Sequence, residues 1–341
     1  MEALLRLTLS LAPVFLFLIA LFALDSFKLV RPASLVRAIV TGAGAAVVCL
    51  LAARALIGSS LCEPATYSRF LAPLIEEATK AVLVVVLVRR KRVGFMVDAA
   101  IVGFATGAGF ATVENLYYLL SVDDANLLLW AVRGFGTAVL HGGSTAILGI
   151  VSKVLADVHG NEGAMIFLPG FGAAVVSHAF FNHFVVWFPP IASAVALLAS
   201  FPILILFVFA RSERILRDWL EVGFGSDVEL LEMLRSGEIK DTRIGQYLRT
   251  LADRFPGEVL ADMLCYLQMW VELSIKAKGR LLLREAGLPQ PPDPVVGDRL
   301  SELAFLEKSI GVTGRLALAP FLHGGSRGEW EVEMLRQGAG R

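Results

Sequence analysis

The chain has 341 residues, 56% of them hydrophobic and 18% charged, and its mean hydropathy is +0.68. Soluble domains carry about 25% charge, and the disordered, collagen-like and disulfide-scaffold classes are excluded. Lys and Arg number 31 against 31 Asp and Glu, so no basic footprint for phosphates exists and no nucleic-acid partner is expected.

The charge is unevenly spread. Residues 1–210 hold 13 Lys/Arg and 11 Asp/Glu, whereas residues 211–341 hold 18 and 20. This predicts an all-α protein: a polytopic transmembrane helix bundle over 1–210, then a water-soluble helical domain over 211–341. Apolar stretches of spanning length fall near 4–24, 38–57, 71–88, 99–120, 127–152, 164–188 and 191–210, which gives about seven spans. The first is read as a retained helix rather than a signal peptide, because cleavage would place the basic residues between 25 and 37 outside.

Basic loops set the orientation. Lys28, Arg31 and Arg37 follow the first span, Arg89 to Arg92 the third, Lys153 the fifth, and Arg211, Arg214 and Arg217 the seventh. An alternating chain puts all eleven of these on one side, against Arg6, Arg54, Arg69 and Arg133 with Asp123 and Asp124 on the other. The expectation is an integral protein of the inner or plasma membrane, N-terminus outside and C-terminal domain cytoplasmic.

Gly103, Gly107, Gly109, Gly142 and Gly143 are expected to permit close helix packing in lipid. Cys49, Cys62 and Cys265 form no CxxC pair and read as core thiols. In the tail, Ser226 to Glu229 has the pattern of a helix-starting capping box. Leu260, Met263, Leu264, Leu267, Trp270 and Val271 recur as a helical core stripe, and the proline-rich stretch 289–294 breaks the helices. No partner of this tail can be named from the sequence.

Ionisable residues inside spans are costly, about 2.5–3.5 kcal/mol each on insertion scales for Asp, Lys and Arg. Here Glu76, Glu77 and Lys80 lie in the third span, Glu114 and Asn115 in the fourth, His141 in the fifth, and His178 and Asn182 in the sixth. On the alternating topology Glu76, Glu114, His141 and His178 all lie roughly 8–21 Å below the outer surface at 1.5 Å per residue. Carboxylates and imidazoles from four helices therefore share one depth, as a water-accessible catalytic pocket requires. Glu76 and Lys80 are four apart and are expected to pair. His178 and Asn182, also four apart, are expected to address one water or carbonyl oxygen. Tyr117 and Tyr118 read first as interface anchors, second as a substrate wall. His159, His183 and His323 are read as lying outside the site. A proton-coupled transporter or channel also uses buried carboxylates and histidines, but the chain shows no paired halves.

Glu76-Glu77-Ala78-Thr79-Lys80 resembles the EExxK motif of the PrsW family of intramembrane proteases. Phe110 to Tyr117, Leu140 to Thr145 around His141, and Ser177 to Asn182 around His178 are similar to that family's later motifs. Relative to the wider CAAX-protease and bacteriocin-processing group, Lys80 comes one position early and Glu114 stands where that group has a histidine. The resemblance covers about residues 10–210. It implies hydrolysis of a peptide bond in a membrane-protein or membrane-associated substrate within the lipid bilayer, with Glu76, Glu77, Glu114, His141, His178 and Asn182 as catalytic residues. Two mechanisms stay open. In one, Glu76 is the general base while His178, Asn182 and His141 hold the water or oxyanion. In the other, Glu76, His141 and His178 bind Zn2+ and Glu77 is the base.

Overall fold

A computed structural model describes residues 2–122, 127–159, 163–187, 190–252, 254–290, 293–322 and 326–339. Every regular element among them is helical. Asp123, Asp124, Pro291, Pro292 and His323 lie outside the described residues. The chain divides into two compact units, Met1–Glu213 and Arg214–Arg341.

In the first unit, α1 (Glu2–Ala23) and α2 (Pro32–Gly58) are long apolar helices. A single turn, α3 (Pro64–Thr66), passes through a π-helical turn at Tyr67–Leu71 into α4 (Ala72–Arg89). Then come α5 (Met96–Ser121) and α6 (Leu127–Thr137), a second π turn at Ala138–Gly142, and α7 (Gly143–His159). A 3-10 turn at Ala164–Phe167 leads into α8 (Leu168–Trp187), and α9 (Pro190–Ser236) follows.

Among the described residues five stretches are long and apolar enough to cross a membrane: Glu2–Ala23, Pro32–Gly58, Met96–Ser121, Leu129–His159 and Ala164–His183. The expected spans at 71–88 and 191–210 are not among them. The first is α4, which carries the charged residues Glu76, Glu77, Lys80 and Arg89. The second runs over residues of α9 whose side chains are outside the description.

The centre of this unit is α5, buried almost continuously from Val97 to Ala111 and packed against α1, α2 and α7. Small residues make that approach possible. A Cβ at Gly109 would overlap the Ile39 carbonyl of α2, and one at Gly107 would overlap the His141 carbonyl. The outward faces of α1 and α2 expose Leu16, Ile19, Val40, Val48 and Leu51, as lipid-facing helices do. Of the cysteines only Cys49 is a core thiol; Cys265 is exposed and Cys62 half-buried. The helical period of α11 carries Cys265 to the outer face, between the inward Met263 and Tyr266.

The second unit contains the end of α9 followed by α10 (Arg243–Ala252), α11 (Gly257–Glu285), α12 (Val295–Leu318) and α13 (Ser326–Ala339). The stripe on α11 is core: Met263, Leu267, Trp270 and Val271 are buried and α11 packs on α12 and α13. The capping box at Ser226–Glu229 is not a helix start. Those residues continue α9, Ser226 donates back to the Val222 carbonyl, and Asp227 turns inward to Lys278 at 2.5 Å. Leu216, Leu220 and Leu230 keep one buried face through that point, which overrides the local signal.

Candidate active site

Three carboxylates, two imidazoles and two cations meet inside the first unit. Glu77 is fully buried on α4, and its Oε1 accepts from Lys80 Nζ at 2.6 Å, His178 Nδ1 at 2.8 Å and Ser144 Oγ at 3.0 Å. Lys80 also donates to His141 Nδ1 at 3.2 Å. That contact makes Nδ1 an acceptor, so the other ring nitrogen, Nε2, carries the proton and donates to Glu114 Oε2 at 2.9 Å. His178 presents the opposite tautomer: its Nδ1–H is given to Glu77, leaving the Nε2 lone pair 3.7 Å from Glu76 Oε2. The two imidazole rings stand edge to face with centroids 5.0 Å apart.

The local fold places these groups deliberately. His141 sits in the π turn Ala138–Gly142, where one extra residue resets the helical register. Its ring lies 4.8 Å from that of Phe110, and Lys80 Nζ is 4.9 Å from the same Phe110 ring. Asn115 is drawn away from the site and donates to the Ser10 carbonyl and to Thr137 Oγ1, tying α5 to α1 and α6.

A cavity of about 630 Å³ opens beside the cluster. It is lined by Glu76, Glu114, His141, His178 and Asn182, with Arg54, Arg133, Tyr117 and Tyr118. Glu77 and Lys80 lie behind this wall. Tyr117 and Tyr118 belong to the cavity wall, the second of the two readings made for them.

Two expected pairings differ. Lys80 pairs with Glu77, three residues before it, rather than with Glu76, because Glu77 and Lys80 share the fully buried side of α4. His178 and Asn182 do not converge on one partner: Asn182 Nδ2 donates to the Ser68 carbonyl at 2.8 Å, within the first π turn. His159 is exposed, and His183 bonds the Ala179 carbonyl and stacks on Phe70, so both stand apart from the cluster. Ser144 and Arg133 were not singled out from the sequence. Ser144 lay within reach of such reasoning, three residues beyond His141 on the same face.

Donor chemistry fits a bound metal. Glu76, His141 and His178 bring ligand atoms within 4.8 Å of one another, and His141 would release Lys80 or Glu114 to free a ring nitrogen for the ion. Glu76 Oε2 is buried with no hydrogen-bond partner and stands 3.7 Å from His178 Nε2, a spacing that a shared cation would bridge. Glu77 on the far nitrogen of His178 is the carboxylate that commonly orients a metal-binding histidine.

A family model described as PrsW family intramembrane metalloprotease matches residues 31–209, more than half of the chain. No curated protein and no solved structure matches. The matched segment contains all of the cavity-lining carboxylates and imidazoles, together with four of the five apolar stretches of spanning length. The chain therefore belongs to the PrsW family of intramembrane metalloproteases.

Proposed function

We propose that the protein hydrolyses a peptide bond of a membrane-protein or membrane-associated substrate, with the reacting water held between Glu76 and His178. The observation that carries this reading is the pair Glu76 Oε2 and His178 Nε2. They stand 3.7 Å apart with no donor between them, in a cavity large enough for an extended peptide segment.

Glu76 is the general base, since its free oxygen faces the cavity. Glu77 is a poor candidate for that role: Lys80, His178 and Ser144 all donate to its Oε1, and it does not line the cavity. Its task is to fix the tautomer and ring plane of His178. His141, held between Lys80 and Glu114, would turn its Nε2–H from Glu114 to the oxygen that becomes negative when the carbonyl is attacked. Glu114 sets the direction of that N–H in the resting site. Asn182 shapes the wall by holding the Ser68 carbonyl. In the alternative mechanism Glu76, His141 and His178 would hold a metal ion, zinc by the character of its donors, which would supply a water of lowered pKa; Glu76 would then be a ligand rather than the base.

Seven spans, an outside N-terminus, a cytoplasmic 211–341 domain and residence in the inner or plasma membrane complete the proposal, supported by the one-sided basic loops. A reporter fused after Arg217 should read as cytoplasmic and one inserted at Asp124 as external; the reverse would refute the orientation. The activity is tested by cleavage of candidate single-span membrane proteins in cells carrying the native chain or Glu76→Gln. Cleavage by the native chain alone is expected, and equal cleavage by both would remove Glu76 from the chemistry.

A further inference from the structure

We infer that Arg133 is a specificity residue that receives a carboxylate of the substrate, so that the enzyme selects peptides with an acidic side chain near the scissile bond. This rests on the protease reading above and adds a substrate class to it.

Arg133 lies outside the four motifs, on α6, yet its side chain lines the same cavity as Glu76, Glu114, His141 and His178. Its guanidinium carbon sits 3.6 Å from the centroid of the Tyr118 ring, a stacking that fixes the plane of the fork. A simple counter-ion role for Glu114 does not account for this geometry. Its NH2 group is 4.0 Å from Glu114 Oε2, beyond hydrogen-bond distance, while that oxygen takes its hydrogen bond from His141 at 2.9 Å. The Nε–H of Arg133 is buried and has no hydrogen-bond acceptor.

The position is also held firmly. The Arg133 carbonyl accepts from Thr137 Oγ1 at 2.6 Å, and Thr137 in turn accepts from Asn115. At the next residue, a Cβ on Gly134 would overlap the Leu9 carbonyl of α1, so α6 is pressed against its neighbour. The result is a planar, permanently charged fork that lines the reaction cavity, with NH2 4.0 Å from Glu114 and a buried Nε–H that no acceptor takes. A carboxylate is the peptide group that matches such a fork. Arg54, which lines the same cavity from α2, strengthens the field for an anion.

The test uses the full-length protein in detergent and synthetic single-span peptides. One Glu, Gln or Lys is placed at successive positions through the transmembrane segment. Cleavage is read as kcat/KM, and binding to the Glu76→Gln form is read separately. At one position the Glu peptide should exceed its Gln counterpart by about 10–100-fold, the range for a hydrogen bond to a charged group. Arg133→Gln should collapse that ratio toward one, and Arg133→Glu should reverse it in favour of the Lys peptide. A purely structural Arg133 would lower all peptides equally and leave the ratios unchanged, which would overturn the proposal. A Glu preference at every position that persists in Arg133→Gln would overturn it as well. Selective, Arg133-dependent binding without any cleavage would refute the protease reading while supporting this one.

Discussion

Glu76 and Glu77 are adjacent in sequence and each has a buried Oε2 without a hydrogen-bond partner, yet Glu76 lines the cavity while Glu77 lies behind it with three donors on Oε1. A single step along α4 thus separates a reactive carboxylate, facing the cavity, from a structural one behind it. The difference comes from the helix itself, which points consecutive side chains about 100° apart.

That separation predicts two different mutant phenotypes. Glu76→Gln should lose about 10²–10⁴-fold in kcat with little change in melting temperature, because the lost group holds no structural hydrogen bond at Oε2. Glu77→Gln strands the ammonium of Lys80 in a fully buried site, and breaking a buried pair costs roughly 3–5 kcal/mol. Thermal melting of both variants in detergent checks this; a Glu76→Gln protein that melts far below Glu77→Gln contradicts the assignment.

Much of the cluster was legible because burying charge in an apolar helix is costly and therefore conspicuous. Glu76, Glu114, His141 and His178 stand out in segments otherwise made of Ala, Val, Leu and Gly. Partner choice was not legible. Lys80 reaches both i−3 and i−4 from one helix face, and only the surrounding packing decides between Glu77 and Glu76. The π turns at Tyr67–Leu71 and Ala138–Gly142 leave no sequence signature, yet they set the direction of His141 and the carbonyl that Asn182 holds. The capping pattern at Ser226 failed for the same reason: a local signal yielded to a buried face continuing through it.

Close packing at Gly107 gives the second prediction. The His141 carbonyl lies where a Cβ would stand, so Gly107→Ala must push the π turn away from α5. Overpacking of this kind costs about 1–3 kcal/mol. Activity should fall together with melting temperature, since the displaced residue carries the site's imidazole. An unchanged melting temperature would mean that the two helices pack less tightly than described.

Metal binding gives the third. Purified full-length protein should retain close to one divalent ion, measured by elemental mass spectrometry, and chelation should lower its melting temperature, because a ligand that binds only the folded state stabilises it. His178→Ala should hold less metal and respond less to chelator, since it removes one of three ligand atoms within 4.8 Å of one another. Absence of both the ion and the chelator effect in the native chain would favour catalysis by Glu76 alone.

The second unit supplies the last prediction. Glu331 is buried with Lys278 Nζ at 3.2 Å and Ser274 Oγ at 2.6 Å, and Lys278 is shared with Asp227 at 2.5 Å. Two carboxylates thus compete for one ammonium, beneath the Trp219 ring 5.0 Å from Lys278. Burial, opposed by Lys278 and reinforced by Asp227, pushes the Glu331 carboxyl up to about 7. In the unfolded chain it titrates near the ordinary glutamate value of about 4.3. Between those two values the folded state binds more protons than the unfolded state, so stability falls as pH rises through the interval. The slope has a ceiling of about 1.4 kcal/mol per pH unit for one group. Hydrogen exchange of α11 amides around Ser274 in the full-length protein should therefore show protection decreasing from pH 5 to pH 7, after correction for intrinsic exchange. Glu331→Gln keeps the shape and a hydrogen-bond acceptor for Ser274 and Lys278 but removes the titration, so its profile should be flat over the same range. A native profile that is already flat, or one that rises with pH, would show that Lys278 holds Glu331 ionised throughout.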